Sequence, residues 1–238
     1  MRNVLILTGD GINSETELAR AFSEQGAQVT KVHVNEFLQT PVMLKKFGVL
    51  GIPGGFSFGD ELKSGKILAE KLRDTLIEGL STFVKDGGRI IGICNGFQVL
   101  AQLGAFDQNF ATRSFTLSEN DHGTFMDKWT TLEISKDAAA KSPWFKNLEG
   151  KIMLPVRHKE GRIVPTANMT VPFGPLKYVE DVNGSHQRIA GLVDSTGQIF
   201  GLMPHPEVAT QSFLYPTRDN VAENVEKIQT LFKNGITP

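Results

Sequence analysis

Cysteine is nearly absent from this sequence of 238 residues, in which Cys94 is the only one. A single cysteine excludes an intramolecular disulfide, so we expect a reducing, cytoplasmic setting. An excess of one charge is also missing, because 25 Lys and Arg residues stand against 26 Asp and Glu residues. No overall field therefore attracts nucleic acid or an anionic membrane, although a local basic pocket for an acidic substrate is not excluded.

Long hydrophobic runs are missing as well. The apolar stretches are short and broken by glycine, proline or charge, so the sequence predicts no transmembrane span. The apolar run at residues 4–7 follows one basic residue and is interrupted by Thr-Gly-Asp-Gly, which predicts a first strand and not a signal peptide. With ordinary globular composition and no repeat or linker, residues 1–238 are predicted to form one domain.

Strand and helix patterns alternate through the first hundred residues. Buried strands are predicted at residues 4–7, 47–52 and 89–93, and residues 28–34 are predicted to form a strand from their alternating pattern. Helices are predicted between Ser14, as the N-cap, and Gly26, and over residues 67–85 and 97–103. This alternation indicates βαβ units and a parallel sheet.

The middle third of the chain has a different pattern. Shorter strands separated by polar turns are predicted at residues 110–117, 128–134, 152–156 and 175–180. Buried strands return at residues 189–194 and 199–203, and a final helix is predicted over residues 220–233. The predicted fold is an α/β protein with an open, mainly parallel sheet flanked by helices and an antiparallel elaboration in its middle third.

Cys94 lies in the segment GICNG, residues 92–96, between a predicted buried strand and a predicted helix. This is the nucleophile-elbow arrangement with cysteine in place of serine. Small residues on both sides let strand and helix pack closely, and the positive end of the helix dipole favours a thiolate. The backbone N–H of Asn95 is then free to donate to an oxyanion. The alternative is an inert buried cysteine at a tight turn.

A second segment, PHPE at residues 204–207, follows the predicted strand 199–203. A cysteine nucleophile needs a base, and the base needs a carboxylate that holds its tautomer. His205 and Glu207 meet both needs at a strand end, where ligands bind in open α/β sheets. Singly, His205 is more typical of a turn histidine and Glu207 of a surface carboxylate. Together with Cys94 they favour a catalytic triad.

A third segment is the glycine-rich PGGFSFGD, residues 53–60, again directly after a predicted strand. The backbone of Gly54, Gly55 and Phe56 is predicted to supply the second oxyanion donor. A phosphate-binding loop is the rival interpretation, but neither a Walker lysine nor G-x-G-x-x-G is present. Gln98, one helical turn after Cys94, is predicted to hold the polar end of a small substrate; the alternative is an exposed helix glutamine.

The segments 53–60, 92–98 and 201–207 resemble the class I glutamine amidotransferases, which use Cys, His and Glu in this chain order. They resemble most specifically the glutaminase subunits of phosphoribosylformylglycinamidine synthase, with Asn95 and Phe97 as the distinguishing positions. The segments 11–15, 158–162 and 183–185 are similar to that family too. The sequence departs from the family pattern at five positions, which are Ser14, Thr124, Asp181, Val182 and Val208.

The resemblance implies a flavodoxin-like class I amidotransferase fold and hydrolysis of glutamine to glutamate and ammonia. The ammonia would pass to an ATP-dependent synthetase subunit that makes formylglycinamidine ribonucleotide in purine biosynthesis, with a third small subunit as a further partner. ATP and Mg²⁺ are expected on the synthetase, and neither a cofactor nor a metal on this chain. A stand-alone hydrolase of the same architecture and a non-catalytic binding subunit are the rival functions.

Overall fold

The computed structural model describes residues 1–59, 63–107 and 110–238. Asp60, the last residue of the glycine-rich segment, lies outside the described residues. Eleven strands lie in the described ranges: β1 (Val4–Thr8), β2 (Val29–His33), β3 (Val49–Ile52), β4 (Arg89–Ile93), β5 (Phe115–Glu119), β6 (Met126–Ile134), β7 (Gly150–His158), β8 (Glu160–Pro165), β9 (Leu176–Tyr178), β10 (Ile189–Val193) and β11 (Ile199–Leu202).

The same ranges contain six α-helices: α1 (Glu15–Ser23), α2 (Val34–Gln39), α3 (Lys66–Lys85), α4 (Asn95–Leu103), α5 (Ala138–Lys141) and α6 (Val221–Ile236). Helix α3 buries a stripe of residues spaced three or four apart, as its sequence predicts: Leu68, Leu72, Leu76, Leu80 and Phe83. Within the described residues, no helix combines the length and apolar character that crossing a membrane requires.

Nine strands form one sheet in the order β2-β1-β3-β4-β11-β10-β9-β6-β7. The first five are mutually parallel and follow the flavodoxin-like 2-1-3-4-5 order when counted along the chain. The other four extend the sheet antiparallel, and β5 pairs with β8 in a separate ribbon. The predicted α/β sheet is confirmed, and most of the middle third continues that sheet.

Some predicted boundaries were wrong for identifiable reasons. The strand predicted from residue 110 begins only at Phe115, because Phe110 has a φ of 57°, outside the strand region. Helix α2 was missed because its first turn is capped by the His33 imidazole, which accepts a hydrogen bond from Asn35 N at 3.2 Å. Ser14 lies at the N-cap of α1, yet its side chain makes no capping hydrogen bond.

Two glycines bring α4 against the backbone of the sheet. A Cβ on Gly96, in the first turn of α4, would lie 1.9 Å from the carbonyl oxygen of Ile52 at the end of β3. A Cβ on Gly92, in β4, would lie 2.6 Å from Gly96 O. Neither position accepts a side chain without moving backbone. The turn between β4 and α4, which carries Cys94, is therefore fixed by direct backbone contact.

We expect Gly96→Ala to lower the free energy of unfolding by about 3 kcal/mol, the upper range for overpacking, because the clash is with backbone. The matched control is Gly79→Ala, since Gly79 is an exposed glycine of α3 whose added Cβ meets nothing within 4 Å. Gly79→Ala should raise the free energy of unfolding by roughly 0.5–1 kcal/mol. Urea unfolding followed by circular dichroism measures both. Equal effects of the two substitutions would contradict this account of the turn.

Candidate active site

Loops that follow four parallel strands converge at one edge of the sheet. They carry Ser14 after β1, Gly54 after β3, Cys94 after β4 and His205 after β11. A Cβ on Gly54 would lie 3.0 Å from His205 Cε1, 3.0 Å from Ser14 Oγ and 3.6 Å from Cys94 Cβ. The carboxyl ends of neighbouring parallel strands meet at one place, which is why residues far apart in sequence are neighbours here.

Cys94 occupies a strained turn between β4 and α4. Its φ of 50° and ψ of −104° lie in a region that non-glycine residues rarely adopt. The side chain is buried, with 7% of its residue surface exposed, and Sγ lies 3.5 Å from the carbonyl oxygen of Arg157 near the end of β7. The geometry is that of a nucleophile elbow at a helix N-terminus.

His205 is held from two sides. Its Nδ1 lies 2.7 Å from Glu207 Oε1, and its backbone N–H donates to Pro155 O at 2.9 Å. Glu207 is completely buried. The carboxylate therefore fixes the imidazole orientation, as in a triad. Nε2 is buried and has no hydrogen-bond partner among the described residues, which leaves it free for proton transfer.

The environment of His205 stabilises its protonated form. Burial by itself lowers the pKa of His205, but the Glu207 carboxylate and then the Cys94 sulfur raise it, to about 10. Both neighbours are acidic groups that favour the imidazolium. A protonated His205 beside Cys94 is the charge arrangement that an activated cysteine nucleophile uses.

In the described part of the glycine-rich loop, residues 53–59, one N–H has no hydrogen-bond partner. Gly54 N donates to Ser14 Oγ at 2.8 Å, and Phe56 N donates to Gly11 O at 2.7 Å. Within the described residues neither the N–H of Gly55 nor that of Asn95 makes a hydrogen bond. Of the three predicted loop residues, Gly55 is therefore the one whose N–H remains available to an oxyanion, together with Asn95.

A chain of side-chain hydrogen bonds connects the loops around Cys94. Ser57 N donates to Asn95 Oδ1 at 3.1 Å, Asn95 Nδ2 donates to Gln98 Oε1 at 3.0 Å, and Gln98 Nε2 donates to Glu160 O at 2.6 Å. Gln98 is buried rather than exposed. Each end of its amide keeps one further hydrogen-bonding position, so a substrate contact stays a prediction.

A second buried histidine, His158, lies at the end of β7. Both of its ring nitrogens lack a hydrogen-bond partner among the described residues. Burial, followed by the charges of His205 and His122, lowers the pKa of His158 to about 3. The imidazole is therefore neutral at physiological pH. No chemical pattern in the sequence selects His158, because only the likeness of the segment 158–162 to a family singled it out.

The structure brings together all the residues predicted for the site, namely Cys94, His205, Glu207, Gly54, Gly55, Phe56, Asn95 and Gln98. Sequence reasoning missed two contributions, the Ser14 hydroxyl and the carbonyl groups at the corner between β7 and β8. Main-chain carbonyls have no sequence signature, so only the folded chain reveals them. Across the described ranges, no three His, Cys, Asp or Glu residues cluster in a way that would hold a metal ion.

The chain is similar to known proteins over nearly its whole length. The family described as CobB/CobQ-like glutamine amidotransferase domain matches residues 1–173 and 175–237. The PurQ subunit of phosphoribosylformylglycinamidine synthase from Methanococcus maripaludis is 31% identical, over 98% of this chain and 96% of the relative. The corresponding PurQ subunit from Dehalococcoides mccartyi is 34% identical, over 89% of this chain and 87% of the relative.

A solved structure is similar over the whole chain. A chain in the structure of PurLQS from Thermotoga maritima is 30% identical, with a TM-score of 0.76 and coverage of 99% of this chain and 98% of that one. The chain therefore belongs to the CobB/CobQ-like glutamine amidotransferase family. Within it, the near full-length relatives are PurQ subunits of phosphoribosylformylglycinamidine synthase, so the resemblance found in the sequence is confirmed.

We expect Glu207→Gln to lower the pKa of His205 below its value of about 10. The substitution removes the strongest group that raises the pKa, while burial continues to lower it. A titration of labelled histidine followed by NMR measures the shift, with His205→Asn to assign the signal. Turnover should fall by about 10⁴, the loss seen when the carboxylate of a triad is replaced by its amide. An unchanged titration of His205 would show that Glu207 does not control the imidazole.

We expect His158 to make the folded protein less stable as the pH falls. Between about pH 3 and 6.5 the unfolded chain binds a proton at His158 that the folded chain does not, so this residue lowers stability as the pH falls. His158→Gln should reduce that slope by up to about 1.4 kcal/mol per pH unit. Urea unfolding at pH 4, 5 and 6 measures it, with His186→Gln as the control for removing a partly exposed imidazole. Parallel slopes for wild type and His158→Gln would contradict the prediction.

Proposed function

We propose that this chain is the glutamine-hydrolysing subunit of a phosphoribosylformylglycinamidine synthase. The observation that carries the proposal is the Nδ1–Oε1 pair of His205 and Glu207 at 2.7 Å beside Cys94 on its elbow. A cysteine, an oriented base and two unused N–H groups are the parts that acyl transfer from an amide requires. The PurQ relatives supply the identity of the synthase.

In the proposed acylation step, Cys94 Sγ attacks the side-chain amide carbon of glutamine. The carbonyl π-electrons move onto oxygen, and the resulting oxyanion accepts hydrogen bonds from the N–H groups of Gly55 and Asn95. His205 then gives its Nε2 proton to the amide nitrogen as the C–N bond breaks. The products are ammonia and a thioester on Cys94, with His205 neutral and hydrogen-bonded to Glu207.

In the deacylation step, His205 takes a proton from water as the water oxygen attacks the thioester carbon. The same two N–H groups stabilise the second oxyanion. Collapse breaks the C–S bond, releases glutamate and restores the thiolate and the imidazolium. Glu207 keeps the imidazole in one orientation through both steps.

Gln98 is proposed to bind the substrate through the amide positions that Asn95 and Glu160 O leave unused. It touches no reacting atom, so its loss should raise KM more than it lowers kcat. Removing an oxyanion donor, by contrast, costs about 10²–10³ in rate. This difference separates a binding role for Gln98 from the transition-state roles of Gly55 and Asn95.

The ammonia is proposed to pass to a synthetase subunit of the same complex, with a small third subunit as an additional partner. The synthetase would use ATP and Mg²⁺ to convert formylglycinamide ribonucleotide to formylglycinamidine ribonucleotide, so ligase activity and ATP binding belong to that partner. A reducing cytoplasm suits this role, because the nucleophile Cys94 must remain a free thiol.

In the reconstituted complex, Cys94→Ala should abolish glutamine-dependent synthesis, because no thioester can form. Ammonia-dependent synthesis should continue at the wild-type rate, since the synthetase is untouched. A coupled assay for the amidine product, run with each nitrogen source, measures both activities. Gln98→Ala, in the helix that follows Cys94, is the matched comparison, and its glutamine-dependent kcat should fall far less.

Three results would count against the proposal. Glutamine hydrolysis by Cys94→Ala would show that another group is the nucleophile. Fast hydrolysis by the isolated wild-type chain, unchanged by the partner subunits, would favour a stand-alone hydrolase. Failure of Cys94 to react with an electrophilic glutamine analogue in the complex would favour a non-catalytic binding subunit.

A further inference from the structure

Ser14 makes hydrogen bonds to both the N–H and the carbonyl oxygen of Gly54 in the glycine-rich loop. Its hydroxyl oxygen accepts the Gly54 N–H at 2.8 Å, in a buried hydrogen bond between residues forty positions apart. Its own backbone N–H donates to Gly54 O at 3.4 Å, and Asn13 N donates to the same oxygen at 3.2 Å. The two peptide groups that meet at Gly54 are therefore both attached to the loop after β1.

The hydroxyl of Ser14 has no role in its own helix. Ser14 is the N-cap residue of α1, a position where serine usually accepts a hydrogen bond from the first turn, but its side chain makes no such bond. Only 7% of Ser14 is exposed. The hydroxyl is directed instead to Gly54, which lies next to Cys94 and His205, so its contribution is to the site.

The attachment at Gly54 determines where the Gly55 N–H points. Gly54 C=O and Gly55 N–H belong to one trans peptide group, in which the two point in opposite directions. Because Gly54 O is bound to Asn13 and Ser14, the Gly55 N–H is directed away from the β1 loop. Gly55 has a φ of 140°, and a Cβ there would lie 2.4 Å from Gly11 O, so only glycine fits.

Glycine alone does not hold this orientation, because two consecutive glycines allow the peptide to rotate. Without the Ser14 hydroxyl, the buried Gly54 N–H would have no acceptor, and an unpaired buried donor destabilises the conformation that holds it. Rotation of the loop towards another acceptor would relieve that cost and would turn the Gly55 N–H from the oxyanion.

We infer that Ser14 is a positioning residue that orients the Gly55 N–H of the oxyanion site through its hydrogen bond to Gly54. The inference rests on the proposed glutaminase function and adds a residue from the loop after β1 to it. Ser14 touches no reacting atom in this mechanism. Its effect should appear in the transition state, where the oxyanion exists, and only weakly in substrate binding.

The test is Ser14→Ala in the reconstituted complex, assayed for glutamine hydrolysis. We expect kcat to fall about 10-fold, less than the 10²–10³ for losing a donor outright, with KM within about 2-fold of wild type. Alkylation of Cys94 by iodoacetamide, followed by mass spectrometry of its peptide, should keep the wild-type rate because that reaction forms no oxyanion. Ser23→Ala, an exposed serine of the same helix, is the matched control and should leave all three values unchanged.

A second variant weakens the hydrogen bond without removing it. Ser14→Cys keeps a side chain of nearly the same shape with a weaker acceptor, so its kcat should fall between those of wild type and Ser14→Ala. A kcat of Ser14→Ala within 2-fold of wild type overturns the inference. An equal loss of kcat and alkylation rate, together with a lower Tm, also overturns it, since that result indicates a structural role. No hydrolysis by the wild-type complex would instead overturn the proposed function itself.

Discussion

The contact on which the site depends is the packing of α4 directly against the backbone of β3 and β4. Gly92 and Gly96 permit this approach, and a Cβ at Gly96 would lie 1.9 Å from Ile52 O. The close packing forces the chain to turn sharply at Cys94, with a φ of 50°. The strain in that turn is maintained by the buried sheet on one side and the helix on the other. The Cys94 sulfur is thereby placed at a helix N-terminus.

Around this fixed point the site is assembled from loops that have little structure of their own. The glycine-rich loop is attached to the β1 loop through Ser14 and to α4 through Asn95. The corner between β7 and β8 is attached to α4 through Gln98. Each bond crosses between elements distant in sequence, so the site has its geometry only when the whole sheet has formed. This arrangement explains how glycines, which are flexible individually, present oriented N–H groups.

The two buried histidines, His205 and His158, show how neighbouring charged groups set the protonation state of an imidazole. Burial lowers the pKa of both, but His205 has the acidic groups of Glu207 and Cys94 beside it and remains protonated. His158 has other histidines as its charged neighbours and is neutral. The same residue type at similar burial thus has two charge states within one site. The charged neighbours of His205 raise its pKa by more than burial lowers it, whereas those of His158 lower its pKa further.

The sequence by itself determined the α/β class, the parallel strands and the residues of the candidate triad, because buried strands, helical stripes and the segments around Cys94 and His205 are local patterns. It did not reveal helix α2, capped by a histidine, or the late start of β5. Only the tertiary structure decided which loop N–H is unused, that Gln98 is buried, and that Ser14 serves Gly54 and not its own helix. These features are hydrogen bonds between distant segments, and their partners are determined by the folded sheet rather than by neighbouring residues.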